Sequence, residues 1–485
     1  MIKGLKLLLL VLAAIVLTIV VVRAWDSQRG APLEPWHTFV PHELGASALD
    51  AADWPKYLDA ENAIFEAVRD EVTRKLPPED RVPINRYFEG SPIYPGRFKR
   101  DWNRSFVLEP EGEPAGAVVL LHGLTDSPYS LRHIGELYRA HGFVAIGLRL
   151  PAHGTVPGAL TDITWEDWMA AVRLAVREAK RQTGAAKPLH IVGYSNGGAM
   201  AVKYALDSLA DERLAKVDRV VLVSPMIAIT RFARFAGLAA LPAYLPAFAK
   251  AAWLDVLPEY NPFKYNSFPV NAAQQSFRLT QAVQTAMTAA QGAGQLTKMP
   301  PVLAFQSVVD FTVSTSAVVT DLFARLPPKA GELVLFDINR TTPLGMLMRP
   351  SAETELARLL PSPPRPYRTA IIGNDGRSPE AIERVVEAGA SEEAVRPLGI
   401  AFPSDVYSLS HIALPFPPSD GLYGSNPDPN EDFGVRLGTV TPRGERNVLV
   451  ASLDSLLRMT SNPFFPYMAR RIEEGLPPLA GPSKP

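Results

Sequence analysis

From Gly116 onward, short uncharged runs alternate with longer stretches that carry apolar residues on one face: "GAVVLLHG", "LRHIGELYRAH", "GFVAIGLRL", "WEDWMAAVRLAVREAKRQ", "PLHIVGYS", "AMAVKYALDSL" and "VDRVVLVSP". A run with no polar side suits a strand buried on both faces, and the amphipathic stretches between such runs supply the helices that cover it. The order predicts an α/β fold with a mainly parallel sheet and helices on both faces. "PPVLAFQSVVD", "TSAVVTDLFARL" and "GELVLFDI" continue the pattern, so the core is interrupted between about Met226 and Lys298.

The run "HIVGYSNGGAM" places a strand, a serine and a helix in immediate succession. Gly193-Tyr194-Ser195-Asn196-Gly197 fits a G-x-S-x-G elbow, in which small residues two before and two after the serine accommodate a sharp turn that lifts its hydroxyl clear of the backbone. An ordinary strand-to-helix turn uses similar residues, so the reading depends on partners elsewhere. Serine is a weak nucleophile until a histidine takes its proton, and that histidine normally needs an acid to orient it. Of the eight histidines, only His411 follows Ser195. When the serine sits on such an elbow the order along the chain is serine, acid, histidine, which leaves His411 as the base. Asp310, just after "PVLAFQS", is the favoured acid because it lies at the carboxyl end of a strand; Asp337 is its rival, and Asp405 reads as an exposed loop residue. A tetrahedral intermediate also needs two donors. These are the N–H of Leu124, beyond the turn made by His122 and Gly123, and the N–H of Asn196 at the start of a helix.

Composition excludes several other chemistries. The 49 basic and 50 acidic residues give a net charge of −1, which supplies no basic surplus for nucleic acid. Cysteine is absent, which removes disulfides, thiolate metal sites, a cysteine nucleophile and a lipidated cysteine. No H-E-x-x-H, P-loop or G-x-G-x-x-G occurs, so no metal or cofactor is expected. The N-terminus is distinctive: Leu7 to Val22 carries no charge, with Lys3 and Lys6 before it and Arg23, Trp25 and Arg29 after. It reads as a single-pass signal anchor that leaves the bulk of the chain on the non-cytoplasmic side. The competing reading is a leader cleaved near Val22-Arg23-Ala24, which would make the protein secreted or periplasmic.

The ordered set "LLHGL", "RLPAHGT", "GYSNGG", "SVVDFTV" and His411 resembles the α/β-hydrolases, and most nearly their monoacylglycerol lipase and carboxylesterase branch. The resemblance covers roughly Ala115 to Asp337 and the region of His411. It implies Ser195, Asp310 and His411 as a triad, Leu124 and Asn196 as oxyanion donors, Gly193 and Gly197 as elbow glycines, and a structural role for His153. The expected function is a serine hydrolase that cleaves carboxylic esters through an acyl-enzyme, on an apolar or lipid-like substrate. A peptidase, a thioesterase and an inactive membrane-displayed binding module stay open, and the oligomeric state is not readable.

The organisation expected is a membrane or signal segment at 1–25, an extension at 26–100 with a helix presenting Ile64, Phe65, Val68 and Val72, and core at 101–226. A helical lid at 227–299 follows, then core at 300–340, an insertion at 341–396, and core with a proline-rich tail at 397–485. Inside the insertion a strand is expected at Thr369 to Ile372, followed by a helix with Ser378 as cap and Pro379 in its first turn.

Overall fold

The computed structural model describes residues 2–26, 28–29, 31–228, 243, 246–440, 443 and 448–479. In chain order its strands are β1 (Phe106–Leu108), β2 (Gly116–Leu121), β3 (Phe143–Leu148), β4 (Leu189–Tyr194), β5 (Arg219–Val223), β6 (Trp253–Asp255), β7 (Phe268–Pro269), β8 (Val302–Ser307), β9 (Gly331–Phe336), β10 (Arg368–Gly373), β11 (Glu380–Val386) and β12 (Glu393–Ala401). The helices that matter here are α1 (Ile2–Asp26), α2 (Trp54–Glu71), α3 (Arg132–Ala140), α4 (Trp165–Thr183), α5 (Asn196–Ala210), α6 (Val270–Gly292), α7 (Pro350–Leu359), α8 (Leu453–Arg458) and α9 (Phe465–Glu473).

Ten strands form one sheet in the order β1-β3-β2-β4-β5-β8-β9-β10-β11-β12. Those from β3 to β10 are parallel, while β1, β11 and β12 add antiparallel edges. This is the α/β-hydrolase fold. Every residue of β2, β3, β4 and β8 is buried, as a strand covered on both faces requires. The chain passes from β2 to β3 on one side and then to β4 on the other, so the carboxyl ends of β2 and β4 flank the point where the strand order reverses. Ligand crevices form at such points.

The extension is tied to this core by charge as well as by apolar contact. In α2, capped by Asp53, Ile64, Val68 and the following Val72 are buried and Phe65 is half-buried. Arg149, fully buried just beyond β3, is met by Glu43 at 2.9 Å and Glu61 at 3.1 Å, and its carbonyl accepts the Tyr57 hydroxyl at 2.5 Å.

Two expectations change. The helix expected after Ser378 is strand β11, whose alternating burial through Ala381, Glu383 and Val385 faces one side while its backbone pairs with β10 and β12. β-Branched Ile382, Val385 and Val386 fit a pleated surface better than a helix, and the strand partners were not visible locally. Residues 368–401 therefore extend the sheet, which leaves α7 and its flanking loops as the irregular part of the 341–396 segment. Within the expected lid, residues 229–242 and 244–245 lie outside the described residues; the described part holds the small β6–β7 sheet and α6.

Among the described residues no helix is long and apolar enough to cross a membrane. The expected anchor, α1, has sixteen charge-free residues from Leu7 to Val22, which at about 1.5 Å per residue rise about 24 Å against about 30 Å of hydrocarbon.

Candidate active site

β4 delivers Ser195 to the carboxyl edge of the sheet, where its backbone stands at φ 54° and ψ −116°. That conformation costs a non-glycine residue about 1–3 kcal/mol and persists only where neighbours enforce it. The Ser195 N–H donates to the Val223 carbonyl at 3.0 Å, and its own carbonyl accepts the N–H of Gly198 and of Met226, each at 2.9 Å. The elbow glycines act by closeness rather than by their own bend, since neither has a positive φ. A Cβ on Gly193 would lie 2.3 Å from the Gly197 carbonyl oxygen, and one on Gly197 would lie 1.9 Å from that of Leu121. Both are backbone atoms that cannot move aside, so any side chain there would push α5 off the sheet.

The loop after β2 runs against the same serine. A Cβ on Gly123 would sit 3.2 Å from Ser195 Cβ. His122 holds this loop: its Nε2 accepts the Leu150 N–H at 3.1 Å, so its Nδ1 carries the proton and donates to the Gly123 carbonyl at 2.9 Å. Burial, aided by the neighbouring His153, pushes the His122 pKa well below the ordinary imidazole value, and burial takes His153 to about 3. Both are neutral structural groups. Among the described residues neither the Leu124 nor the Asn196 backbone N–H donates to a protein acceptor, and Leu124 and Ser195 line one cavity.

Asp310 follows β8, and its two oxygens are used separately. Oδ1 accepts the N–H groups of Thr312 at 2.8 Å and Val313 at 3.0 Å, while Oδ2 accepts Gln306 Nε2 at 3.0 Å and His411 Nδ1 at 2.9 Å. Burial alone would raise the carboxyl pKa, but His411 and the two amides outweigh it and hold it below the usual carboxylate range. His411 is 5% exposed, its ring 5.3 Å from that of Tyr194, the residue before the serine. The rival acid, Asp337, is buried elsewhere against Arg340 at 2.5 Å, and Asp405 is exposed.

A cavity of about 380 Å³ contains Ser195 and His411 together with Leu124, Asp126, Lys264 and Arg458. Among the described residues no hydrogen bond joins the Ser195 hydroxyl to His411. Such bonds often close only when substrate is bound. Two residues not singled out in the sequence belong here. Lys264 reaches Thr125 Oγ1 at 3.1 Å and Asp126 Oδ1 at 3.3 Å, and the next N–H, of Tyr265, donates to the Thr125 carbonyl at 2.8 Å. They clamp the loop that carries Leu124. Burial raises the Asp126 pKa despite Lys264. No local pattern marks this pair, because 138 residues separate its members. Among the described residues no group of three His, Cys, Asp or Glu side chains is placed to hold a metal ion.

Comparison with known proteins agrees with the fold. Residues 112–338, just under half of the chain, match a family described as serine aminopeptidase, S33. A thermostable monoacylglycerol lipase of Bacillus sp. (strain H-257) is 32% identical over 95 residues, 20% of this chain and 36% of that protein. The chain thus spans about a third of the length of that curated relative. Among solved structures, the monoacylglycerol lipase of Paleococcus ferrophilus shares 19% identity over 53% of this chain and 96% of the other, with a TM-score of 0.36. A soluble variant of monoglyceride lipase from Saccharomyces cerevisiae shares 13% over 48% and 81%, with a TM-score of 0.37. The family match and the curated relative support an esterase- or lipase-like hydrolase.

Proposed function

We propose that this protein hydrolyses carboxylic esters through an acyl-enzyme on Ser195. The observation that carries the reading is the pairing of His411 Nδ1 with Asp310 at 2.9 Å, with the imidazole in one cavity with a serine held at positive φ. With Nδ1 donating to a carboxylate, Nε2 is left as the acceptor that a nucleophilic serine needs. As Ser195 Oγ bonds to the ester carbon, its proton passes to His411 Nε2. The tetrahedral oxyanion takes hydrogen bonds from the N–H groups of Leu124 and Asn196. Collapse breaks the bond to the alcohol oxygen, which leaves with the proton from His411. Water then repeats the sequence on the acyl-enzyme and releases the acid.

Lipid-like substrates are favoured by apolar side chains in the cavity, among them Leu124, Met226, Phe268 and Ile412. We further propose that α1 holds the protein at a membrane on the non-cytoplasmic side. Leu7, Leu10, Leu17 and Val21 are each more than half exposed, and a helix so apolar on its surface is better solvated by lipid than by water. Flotation of the full chain with vesicles, lost on removal of residues 1–25, tests this; flotation unchanged by the truncation refutes it.

The function is tested by initial rates on p-nitrophenyl esters from short to long acyl chains, with Ser195→Ala and His411→Ala alongside. A rate that needs both residues is expected, together with labelling by a serine-directed phosphonate that Ser195→Ala abolishes. The family match carries a peptidase description, so cleavage of aminoacyl amides without cleavage of esters would transfer the same machinery to that reading. No labelling of Ser195 at all would leave a binding module.

A further inference from the structure

A second cavity, of about 670 Å³, adjoins the first and is the larger of the two. The two share His411 and Arg458, but the second is also lined by Asp310 and does not include Ser195 or Leu124. Part of its wall comes from chain beyond the family match, and part from the ends of matched strands. Leu344, Leu347 and α7 form one side, the loop before His411 forms another, and Val308, Phe311 and Ile338 bring apolar surface from the ends of β8 and β9. Several of these large apolar side chains stand in solvent: Phe311 is 94% exposed, Leu347 is 82% and Leu344 is 41%. A cavity of this size with exposed apolar groups clustered around it is the usual mark of a binding site for an apolar group.

The reaction decides which part of an ester would reach it. An imidazole that takes the serine proton must hand it to the departing oxygen, so the leaving alcohol lies on the histidine side of the reacting carbon. The larger cavity borders the His411–Asp310 pair without bordering the serine. Arg458, which lines both cavities, donates from Nη2 to Thr312 Oγ1 at 2.5 Å, and its carbonyl accepts the Ser410 hydroxyl at 2.7 Å. That strap ties the loop after Asp310 to the residue before His411, so a chain passing beside it would not displace the pair.

We propose that this cavity receives the hydrocarbon tail of the leaving alcohol, and that the preferred substrates are esters of long-chain alcohols. The proposal rests on the ester-hydrolase reading above. The acyl part stays in the smaller cavity at Ser195.

The test uses the full chain and two substrate series: butyrate esters of alcohols from ethyl to dodecyl, and ethyl esters of acids from butyric to lauric. kcat/KM is the readout because it reports acylation, the step in which the alcohol is still attached. Leu347→Gln and Phe311→Ser alter exposed side chains and leave the core packing untouched. In the wild type, kcat/KM rises with alcohol length. In each variant the dodecyl-to-ethyl ratio along the alcohol series falls about tenfold, the scale set by losing a methylene or two of apolar contact, while the ratio along the acyl series holds. A fall confined to the acyl series overturns the proposal, as does an equal fall in both or a wild-type rate indifferent to alcohol length. Binding of radiolabelled dodecanol to the Ser195→Ala chain reads the cavity without turnover. Leu347→Gln weakens it if the tail sits there; equal binding overturns the proposal even where no ester is cleaved. Absence of Ser195-dependent cleavage on every ester counts against the parent reading alone.

Discussion

Replacing Asp310 by asparagine keeps the shape of the side chain and reverses the hydrogen bonds at one of its two oxygen positions, and the structure says which one. The Oδ1 position faces two backbone N–H groups, those of Thr312 and Val313, which can only donate. The Oδ2 position faces Gln306 Nε2 and His411 Nδ1. Gln306 can turn its amide over, since its Oε1 is buried without a partner. The asparagine in Asp310→Asn therefore keeps its oxygen on the two fixed amides and points its NH₂ at His411. The imidazole must then accept at Nδ1 and carry its proton on Nε2, which is the tautomer that cannot take a proton from Ser195. The same reversal in a well-studied serine protease lowers kcat about 10⁴-fold, so a loss of kcat/KM of that order, about 5 kcal/mol, is expected here. Steady-state ester hydrolysis at pH 7 to 8 measures it, with circular dichroism to verify folding. Asp337→Asn is the control, since that residue pairs with Arg340 and loses less than a few-fold. A loss below tenfold in Asp310→Asn, or an equal loss in Asp337→Asn, would refute the assignment of the acid.

Arg149→Met leaves the carboxylates of Glu43 and Glu61 facing each other without their buried partner, so urea denaturation is expected to show about 3–5 kcal/mol less stability, with faster proteolysis within residues 31–100. Burial lowers His37 to about 4 and His153 to about 3, so the unfolded chain binds more protons below the ordinary imidazole pKa. Stability is full above about pH 6.5 and falls at up to ~1.4 kcal/mol per pH unit for each histidine as pH drops toward those values; urea midpoints from pH 7 to 5 measure the slope. Lys264→Met removes the clamp on Thr125 and Asp126, and a loss of kcat of about tenfold or more, with thermal unfolding shifted by only a few degrees, is expected if that loop carries an oxyanion donor.

How much of this was legible in the sequence depended on whether the signal was local. The parallel core was readable because strands covered on both faces must be apolar throughout, and runs such as GAVVLL announce that without knowledge of their neighbours. The turn at Ser195 was readable because small residues at 193 and 197 leave room that the backbone then fills. The proposed base followed from counting, since only one histidine lies beyond the serine. Other features needed the folded chain. Glu380–Val386 carries a helix-start signal in Ser378 and Pro379, yet becomes a strand because β10 offers an open edge, and pairing along a strand outweighs a cap. Asp310 was favoured over Asp337 by its place at a strand end, but that its carboxylate is the one facing His411 is a matter of distance set across 101 residues of chain. Asp126 with Lys264, and the larger cavity beside His411, are likewise made by segments far apart in sequence. Periodicity and turn chemistry act over a few residues and are written in order along the chain, whereas partners, charges and cavities arise from through-space contacts that only tertiary packing creates.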